Sequence, residues 1–374
     1  MSTGSIKTLY TEHMNTCKKC AKAPNRGSRS GFERNLYLHL SRHFFQITRK
    51  LLYQQSEFAM GGIMMNGLTV LKKFGFHTRE EPVSIYPFSP VYRVNSEMND
   101  FIVKKTQRPI ERAQRLMRYT TNLKENGVNV VTPVSLSVEN PQSIGEDTYV
   151  VYPYIKGAQY SGNDEEIIAA GKLLGEIHSL SPKENTFELD EYDVFDFNMD
   201  EVAESVKNIE KYAARYELKL ESIQLQQKLE EVVTQQEELK NSGLQCVLTP
   251  HDFKANNLIY TPDPYLIDPD NASWIPRIFD LALALLLFHN ELSTAPDTPF
   301  TPEQWQLFLQ GYKRSSSLTD LEYVYWQKAV EHVFLDEVMW LMADVEDDWA
   351  NPSQRSLFEG LIKIVLDPSS YRLN

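Results

Sequence analysis

The amino-acid sequence predicts an α+β fold with two lobes, a small mixed β-sheet lobe followed by a larger and mostly helical one. Alternating apolar and polar residues with intervening turn residues predict a series of strands between residues 83 and 104. Helical periodicity dominates from residue 164 onward and is interrupted by a short β segment around residue 250. We therefore place the small lobe at residues 65–155 and the large lobe at residues 156–374.

The small lobe is predicted to combine helices with a β-sheet. A helix at 110–126 follows Pro109 and ends before Gly127, since glycine adopts a left-handed C-cap at little steric cost. A shorter helix is predicted at 68–74. Strands are predicted at 83–86, 91–94, 101–104, 128–138 and 148–154, with a loop at 87–90.

The large lobe is predicted to begin with an amphipathic helix at 164–180, for which Asn163 is a suitable N-cap. Residues 200–241 then show helical periodicity and are rich in Glu, Gln and Leu. Because their apolar positions do not form a sustained heptad, a helical hairpin is favoured over a coiled coil. The segment 249–271, between these helices and the C-terminal ones, is polar and punctuated by proline.

The charge of the chain is unevenly distributed and limits its partners. Residues 1–59 hold ten Lys and Arg against three Asp and Glu, whereas the remainder holds 28 basic and 48 acidic residues. A body this acidic repels nucleic acid, and no apolar run reaches the roughly 18 residues of a membrane span. Cationic small molecules are the partners that this charge favours.

Residues 1–64 form a basic segment that we expect to be a poorly ordered extension. Cys17 and Cys20 form a C-x-x-C within it, but a zinc site normally needs four ligands. The only further cysteine is Cys246, so the chain has no disulfide framework. This cysteine usage fits a reducing cytoplasm.

The residues that suit catalysis concentrate in segment 245–268, which the sequence predicts as strand, polar loop, strand, proline-bounded turn and strand. Such a hairpin would bring Asp252, Asn257 and Asp268 to one end of a short sheet. Mg²⁺ prefers oxygen ligands and keeps phosphate oxygens among them, so these side chains suit a metal–nucleotide complex. One carboxylate would remain to accept a proton from an acceptor hydroxyl. In isolation, the same Asp and Asn would indicate only a turn.

Three motifs of the large lobe stand in the order found in a known superfamily. They are Asp252-x-x-x-x-Asn257, Ile-Asp-Pro-Asp at 267–270 and Arg-Ile-Phe-Asp-Leu-Ala at 277–282. In spacing, order and setting they resemble the aminoglycoside phosphotransferase and choline kinase superfamily. The resemblance extends from about residue 68 to the C-terminus. It implies a bilobal protein-kinase-like fold that uses ATP and Mg²⁺ to phosphorylate a small molecule.

The resemblance also implies roles for individual residues. Asp252 would be the catalytic base, Asn257 and Asp268 would hold Mg²⁺, and Asp280 would support the catalytic loop. For Asp270, a second metal contact and a loop hydrogen bond are equally open. The implied nucleotide-binding residues are Lys104 on the α- and β-phosphates, Ser89 in the phosphate-covering loop, and Tyr152 and Tyr154 in the hinge between the lobes.

The sequence departs from the superfamily pattern at three places. A histidine usually stands two residues before the base with glycine between them, whereas Pro250 and His251 occupy those positions here. The phosphate-covering loop at 86–90 has no glycine, so a phosphate contact there would depend on Ser89. Glu111 is the only acid in the first turns of helix 110–126 that could pair with Lys104.

The acceptor site is predicted near the acidic C-terminal helices. Trp340, Asp344 and Asp348 are the candidate substrate residues, because acids and aromatic rings together bind an amine through ion pairing and cation–π attraction. An amphipathic helix whose acids face water would produce the same pattern, so both explanations stay open at this point.

The leading functional hypothesis is transfer of the γ-phosphoryl group of ATP to a hydroxyl of a small, cationic or sugar-like acceptor. Aminoglycosides, other antibiotics, choline-like alcohols and amino sugars all fit. The alternatives are a non-catalytic structural protein of the same fold, as in spore coats, and a regulatory module that binds nucleotide without transferring phosphate. The altered order around His251 and the missing loop glycines favour the structural alternative.

Overall fold

The computed structural model describes residues 66–86, 89–95, 99–106 and 108–374, all of which belong to one unit, Met60–Asn374. The predicted extension at 1–64, with Cys17 and Cys20, lies outside the described residues. The predicted α+β class is confirmed, because a small antiparallel sheet with its helices precedes a mostly helical region.

The small lobe is built on a four-stranded antiparallel sheet with the strand order β1-β2-β4-β3. Val103 on β2 stands opposite Val151 on β4, and both are fully buried against helix α1. Since side chains alternate along a strand, Lys104 emerges on the other face of β2. The bounds are α1 Gly67–Lys73, β1 Val91–Asn95, β2 Asp100–Thr106, α2 Ile110–Glu125, β3 Gln142–Ile144 and β4 Asp147–Pro153.

The face of the sheet that carries Lys104 packs toward the large lobe. A small apolar cluster there combines Ala113 of α2 with Val150 and Tyr152 of β4. Tyr265 and Ile267 of the large lobe pack against the same cluster. The two lobes therefore share apolar contacts directly beside the position where Lys104 leaves β2.

The predicted strand at 83–86 is wrong. Ile85 donates its backbone N–H to the Val91 carbonyl, but the N–H of Val91 donates to the hydroxyl of Ser84. A side chain therefore takes a hydrogen bond that a partner strand would supply. This local competition is typical of serine near an extended edge.

The predicted strand at 128–138 is also wrong, because the segment divides its backbone hydrogen bonds between two sheets. Val131 donates to the carbonyl of Leu266 in the large lobe, whereas Val134 donates to the carbonyl of Val151 in the small lobe. Val128, Val130 and Val131 are buried, but they line a connection rather than a ladder, and Val138 at the end of the segment is exposed.

The helices of the large lobe follow the predicted periodicity. The predicted helix at 164–180 is α3, and the predicted hairpin at 200–241 is α4 and α5. Asn163 caps α3 by accepting a hydrogen bond from the N–H of Glu166. Among the described residues, no helix combines the length and apolar character needed to cross a bilayer. The bounds are α3 Asp164–Ser179, α4 Met199–Ala214, α5 Ser222–Lys240, α6 Arg277–Leu287, α7 Pro302–Tyr312, α8 Asp320–Val333, α9 Met339–Asp344 and α10 Pro352–Leu366.

Two small sheets inside the large lobe hold the segment that connects β6 to β7. One sheet has the order β5-β9-β6, and the other is the hairpin of β7 and β8. Leu248, Leu258 and Leu266 are buried in the core, so the connection is anchored at both ends. The strand bounds are β5 Asp190–Glu191, β6 Cys246–Thr249, β7 Leu258–Tyr260, β8 Pro264–Leu266 and β9 Ser273–Pro276.

Helices α3 and α7 approach until their backbones touch, and glycines line the contact. A Cβ atom on Gly171 would overlap the carbonyl of Phe308, and a Cβ atom on Gly311 would overlap the carbonyl of Ile168. Any larger residue must push the two helices apart. Helix α3 also carries His178, which contacts the carboxylate of Asp280. The distance between α3 and α7 therefore affects the position of this histidine.

We expect Gly311→Ala to lower the free energy of unfolding by about 1–3 kcal/mol, because overpacking forces the backbone to move. An ordinary helical Gly→Ala change would instead stabilise by about 1 kcal/mol. The matched control is Gln310→Ala at the neighbouring exposed position, which should stay within about 0.5 kcal/mol of the parent. Urea unfolding measures both variants, and a stabilised Gly311→Ala protein would contradict the close packing.

Candidate functional site

The connection between β6 and β7 holds two residues in an unusual backbone conformation. His251 and Asp252 have φ angles of 51° and 57°, in the left-handed region. This region costs a residue other than glycine about 1–2 kcal/mol. Such strain persists where the surroundings fix it, and it clusters at functional sites. His251 occupies the position where the superfamily pattern has glycine, so its left-handed backbone follows the pattern although its side chain does not.

Asn257 fixes the backbone of Asp252 from inside the loop. Its Nδ2 donates to the carbonyl of Asp252 at 2.9 Å and lies 3.5 Å from the Asp252 Oδ2 atom. The amide group is thereby oriented, and its Oδ1 atom remains available as a metal ligand. The carbonyl of Asn257 also accepts a hydrogen bond from Ile267, the residue before Asp268. The structure thus connects Asp252 and Asn257 directly, and joins Asn257 to the residue before Asp268 through the backbone.

Lys104 meets two carboxylates of the large lobe. Its Nζ lies 2.6 Å from Asp268 Oδ1 and 3.1 Å from Asp270 Oδ2. Burial alone would lower the pKa of Lys104, but the carboxylates of Asp270 and Asp268 outweigh it and raise the pKa. The Asp268 side chain remains 41% exposed, against 19% for Lys104. The acid is therefore still open to a ligand.

The pairing of Lys104 with Glu111, which the sequence left open, is not among the ion pairs of the described residues. Glu111 is exposed in the first turn of α2, and the ion pairs of Lys104 go to Asp268 and Asp270 instead. The physical reason is position: Lys104 leaves β2 toward the segment after β8. The acids of that segment are closer to it than any acid of the helix.

Of the other predicted nucleotide-binding residues, Tyr152 lies beside this cluster. Burial raises the pKa of Tyr152, and the neighbouring carboxylates of Asp270 and Asp268 raise it further. Tyr154 donates its backbone N–H to the carbonyl of Asp100, so an adenine contact from Tyr154 would have to use its carbonyl. The hydroxyl of Ser89 donates to the Lys105 carbonyl at 3.4 Å. Their nucleotide roles stay predictions.

The donor set of this cluster fits Mg²⁺. Asp268 and Asn257 offer oxygen atoms, and Mg²⁺ is usually held by one or two carboxylates with phosphate oxygens and water completing its shell. Within the described residues no group of three His, Cys, Asp or Glu side chains is placed to hold a metal ion. Asp270 is the second acid within reach, although Lys104 already lies on it.

Asp280 ties the loop that carries Asp252 to the core of the large lobe. It is fully buried on α6, and its Oδ2 atom accepts hydrogen bonds from Thr249 Oγ1 at 2.8 Å and His178 Nε2 at 2.9 Å. His178 in turn contacts the hydroxyl of Tyr312 through Nδ1. Thr249 is the last residue of β6, three residues before Asp252. A buried carboxylate thus fixes the start of the loop.

Lys254 is a functional candidate that we did not predict from the sequence. Its Nζ lies 3.3 Å from Asp252 Oδ2 and 2.8 Å from Glu291 Oε2. The side chain is 8% exposed, so a positive charge is held beside the candidate base. The sequence feature that could have indicated Lys254 is its position two residues after Asp252, in the same loop.

The predicted substrate residues lie on a different element. Trp340 and Asp344 belong to α9, and Asp348 to the 3₁₀-helix Glu346–Ala350 that follows it. All three are half-buried. Their role in binding an acceptor stays a prediction.

A strained Asp-Asn loop beside a lysine–carboxylate cluster, between a small β lobe and a helical lobe, defines a protein-kinase-like phosphotransferase. Comparison with known families supports this class: residues 88–318 match the model described as the phosphotransferase enzyme family. The chain belongs to this family. No curated protein sequence matched the chain.

Solved structures show the same fold at low sequence identity. A microcompartment-associated aminopropanol kinase is 14% identical over 82% of this chain and 98% of its own, with a TM-score of 0.58. A spectinomycin phosphotransferase bound to ADP and spectinomycin is 14% identical over 86% and 98%, with a TM-score of 0.54. An amicoumacin kinase bound to AMP-PNP and Ca²⁺ is 18% identical over 82% and 94%, with a TM-score of 0.54.

The left-handed backbone at His251 leads to a stability prediction. We expect His251→Gly to be at least as stable as the parent, because glycine adopts this conformation without a Cβ penalty. His251→Val should be less stable than His251→Gly by about 1–2 kcal/mol, since a β-branched side chain disfavours positive φ most strongly.

The control is the same pair of substitutions at His77, which is exposed and does not have a positive φ. There the order should reverse, because glycine only adds entropy to the unfolded chain. Urea unfolding gives all four values. An equal loss for both His251 variants would rule out a left-handed residue at this position.

Proposed function

We propose that this chain is an ATP-dependent kinase of small molecules, which transfers the γ-phosphoryl group to a hydroxyl of a cationic or sugar-like acceptor. The observation that carries the proposal is the loop in which Asn257 holds Asp252 beside the cluster of Lys104 and Asp268. This arrangement would supply a base, two metal ligands and a phosphate-binding cation. The structural relatives bound to AMP-PNP and ADP support nucleotide use.

The proposed mechanism assigns each charged group one task. Asp252 would accept the proton of the acceptor hydroxyl as its oxygen attacks the γ-phosphorus. Asn257 and Asp268 would hold Mg²⁺, which neutralises phosphate charge when bound. Lys104 would turn from Asp268 toward the α- and β-phosphates. Lys254 would keep a positive charge beside the reacting oxygens, where transfer of the phosphoryl group concentrates negative charge.

The acceptor class is inferred from charge and from the relatives. Outside residues 1–59 the chain carries 48 acidic and 28 basic residues, which favours an amine over an anionic acceptor. The relatives are named as kinases of amicoumacin, spectinomycin and aminopropanol. We therefore propose hydroxylated amines, including aminoglycoside-like antibiotics and amino alcohols, as the acceptors to test first.

The function is tested by measuring ADP release from MgATP in the presence of a panel of such amines, together with the thermal shift caused by MgATP. Turnover that depends on one acceptor is the expected result. A thermal shift without turnover on any acceptor would favour a regulatory module. The absence of any thermal shift would favour a structural protein.

We expect Asp252→Asn to lower kcat for phosphoryl transfer by about 10²–10⁴-fold, because the acceptor hydroxyl loses its base. The affinity for MgATP should change by less than about twofold, since the substitution keeps the shape of the loop and removes no phosphate contact. Isothermal titration and a coupled ADP assay measure the two quantities.

The matched control is Asp263→Asn, which changes an exposed acid in the turn between β7 and β8. Its kcat should equal that of the parent. Full transfer activity in Asp252→Asn would remove Asp252 from the role of base.

A further inference from the structure

Helix α2 holds the large lobe through arginine rather than through an acid. Arg112 is 2% exposed, and its Nε donates to Asp190 Oδ2 at 2.9 Å. Its Nη2 donates to the carbonyl of Ala272. Ala272 follows Asp268 by four residues, so Arg112 contacts the same segment that carries the proposed metal ligand.

A row of polar side chains continues from this contact across the β5-β9-β6 sheet. Asp190 on β5 is paired with Ser273 on β9, and Ser273 is paired with Thr249 on β6. Paired residues on neighbouring strands point to the same face of a sheet. Arg112 contacts the Asp190 end of this row, and Asp280 accepts a hydrogen bond at its Thr249 end.

Three buried atoms along this row have no hydrogen-bond partner among the described residues. They are Arg112 Nη1, Ser273 Oγ and Asp280 Oδ1. Arg112 Nη1 is a donor, Ser273 Oγ is both donor and acceptor, and Asp280 Oδ1 is an acceptor. Ser273 adjoins the contacts of the other two, because it follows Ala272, which Arg112 binds, and pairs with Thr249, which Asp280 binds. Buried polar atoms in this combination are the usual partners of an internal water.

We propose that a buried water site shared by Arg112, Ser273 and Asp280 joins helix α2 to the support of the catalytic loop. Arg112 is then a positioning residue for phosphoryl transfer. It holds the segment after Asp268 directly, and it reaches Asp280 through the water. The catalytic part of this inference rests on the proposed function, whereas the water site does not.

The water site is tested by Ser273→Ala, whose effect on stability has opposite signs in the two cases. If water connects the three groups, removing the hydroxyl deletes a satisfied hydrogen bond and lowers the urea midpoint. If the hydroxyl is buried without any partner, removing it raises the midpoint or leaves it unchanged, which would overturn the proposal. The control is Ser143→Ala at an exposed position of β3, which should match the parent. A high-resolution crystal structure of the full chain should show water bonded to both Ser273 Oγ and Asp280 Oδ1.

The positioning role is tested with Arg112→Met and Arg112→Lys in assays of ADP release from MgATP. We expect Arg112→Met to lower kcat per folded molecule by about 10- to 100-fold with little change in KM for ATP, because small displacements of positioned groups have effects of this size. Arg112→Lys should recover part of the loss, since it keeps a cation beside Asp190. A purely structural role would reduce the folded fraction and leave kcat per folded molecule at the parent value.

The proposed function and the water site can be disproved separately. A parent chain that neither binds nor turns over MgATP would overturn the proposed function and with it the catalytic role of Arg112. The urea midpoint of Ser273→Ala would still decide the water site, because folding requires no substrate. If Arg112→Met does not fold, Arg112→Lys decides the positioning role: an unchanged kcat would overturn it.

Discussion

The contact of Lys104 with Asp268 and Asp270 is the interaction on which the site depends. It joins β2 of the small lobe to a segment 164 residues later in the chain. Two carboxylates this close to one point repel each other unless a cation lies between them. Lys104 supplies that cation, and a metal–nucleotide complex would have to replace part of its charge. The two carboxylates can therefore lie close to one point in either situation.

The catalytic loop keeps its strained backbone because it is held from several sides. Asp280 binds Thr249 at the start of the loop, and Asn257 binds the carbonyl of Asp252 from within it. The N–H of Ala255 donates to the carbonyl of Phe288 at the end of α6. Each hydrogen bond contributes only modestly to stability, but together they offset the free-energy cost of two residues in the left-handed conformation. The geometry of Asp252 is thus set by the large lobe before any substrate arrives.

The parts of the fold that the sequence predicts well are those that depend on local pattern. Periodicity and capping located the helix at 110–126 and the hairpin at 200–241 within a residue or two, since both signals lie inside the element. The prediction of a strand at 128–138 failed because its apolar pattern reflects burial and not pairing with a neighbouring strand. Strand formation needs a continuous partner, and here Val131 and Val134 bond to different lobes. Pairing is a property of the whole fold that no local window contains.

The same distinction separates the predicted from the unpredicted parts of the site. Spacing and order made Asp252, Asn257 and Asp268 the candidates, because these residues closely flank one hairpin in the sequence. Spacing could not identify the partners of Lys104, since an ion pair follows distance in space and not along the chain. The contact of Arg112 on α2 is likewise one that spacing could not identify. The sequence offered Glu111 of α2 as a carboxylate partner for Lys104. Instead, Arg112 of α2 binds Asp190 of the large lobe. The carboxylates that pair with Lys104 are Asp268 and Asp270 of the candidate metal-binding segment.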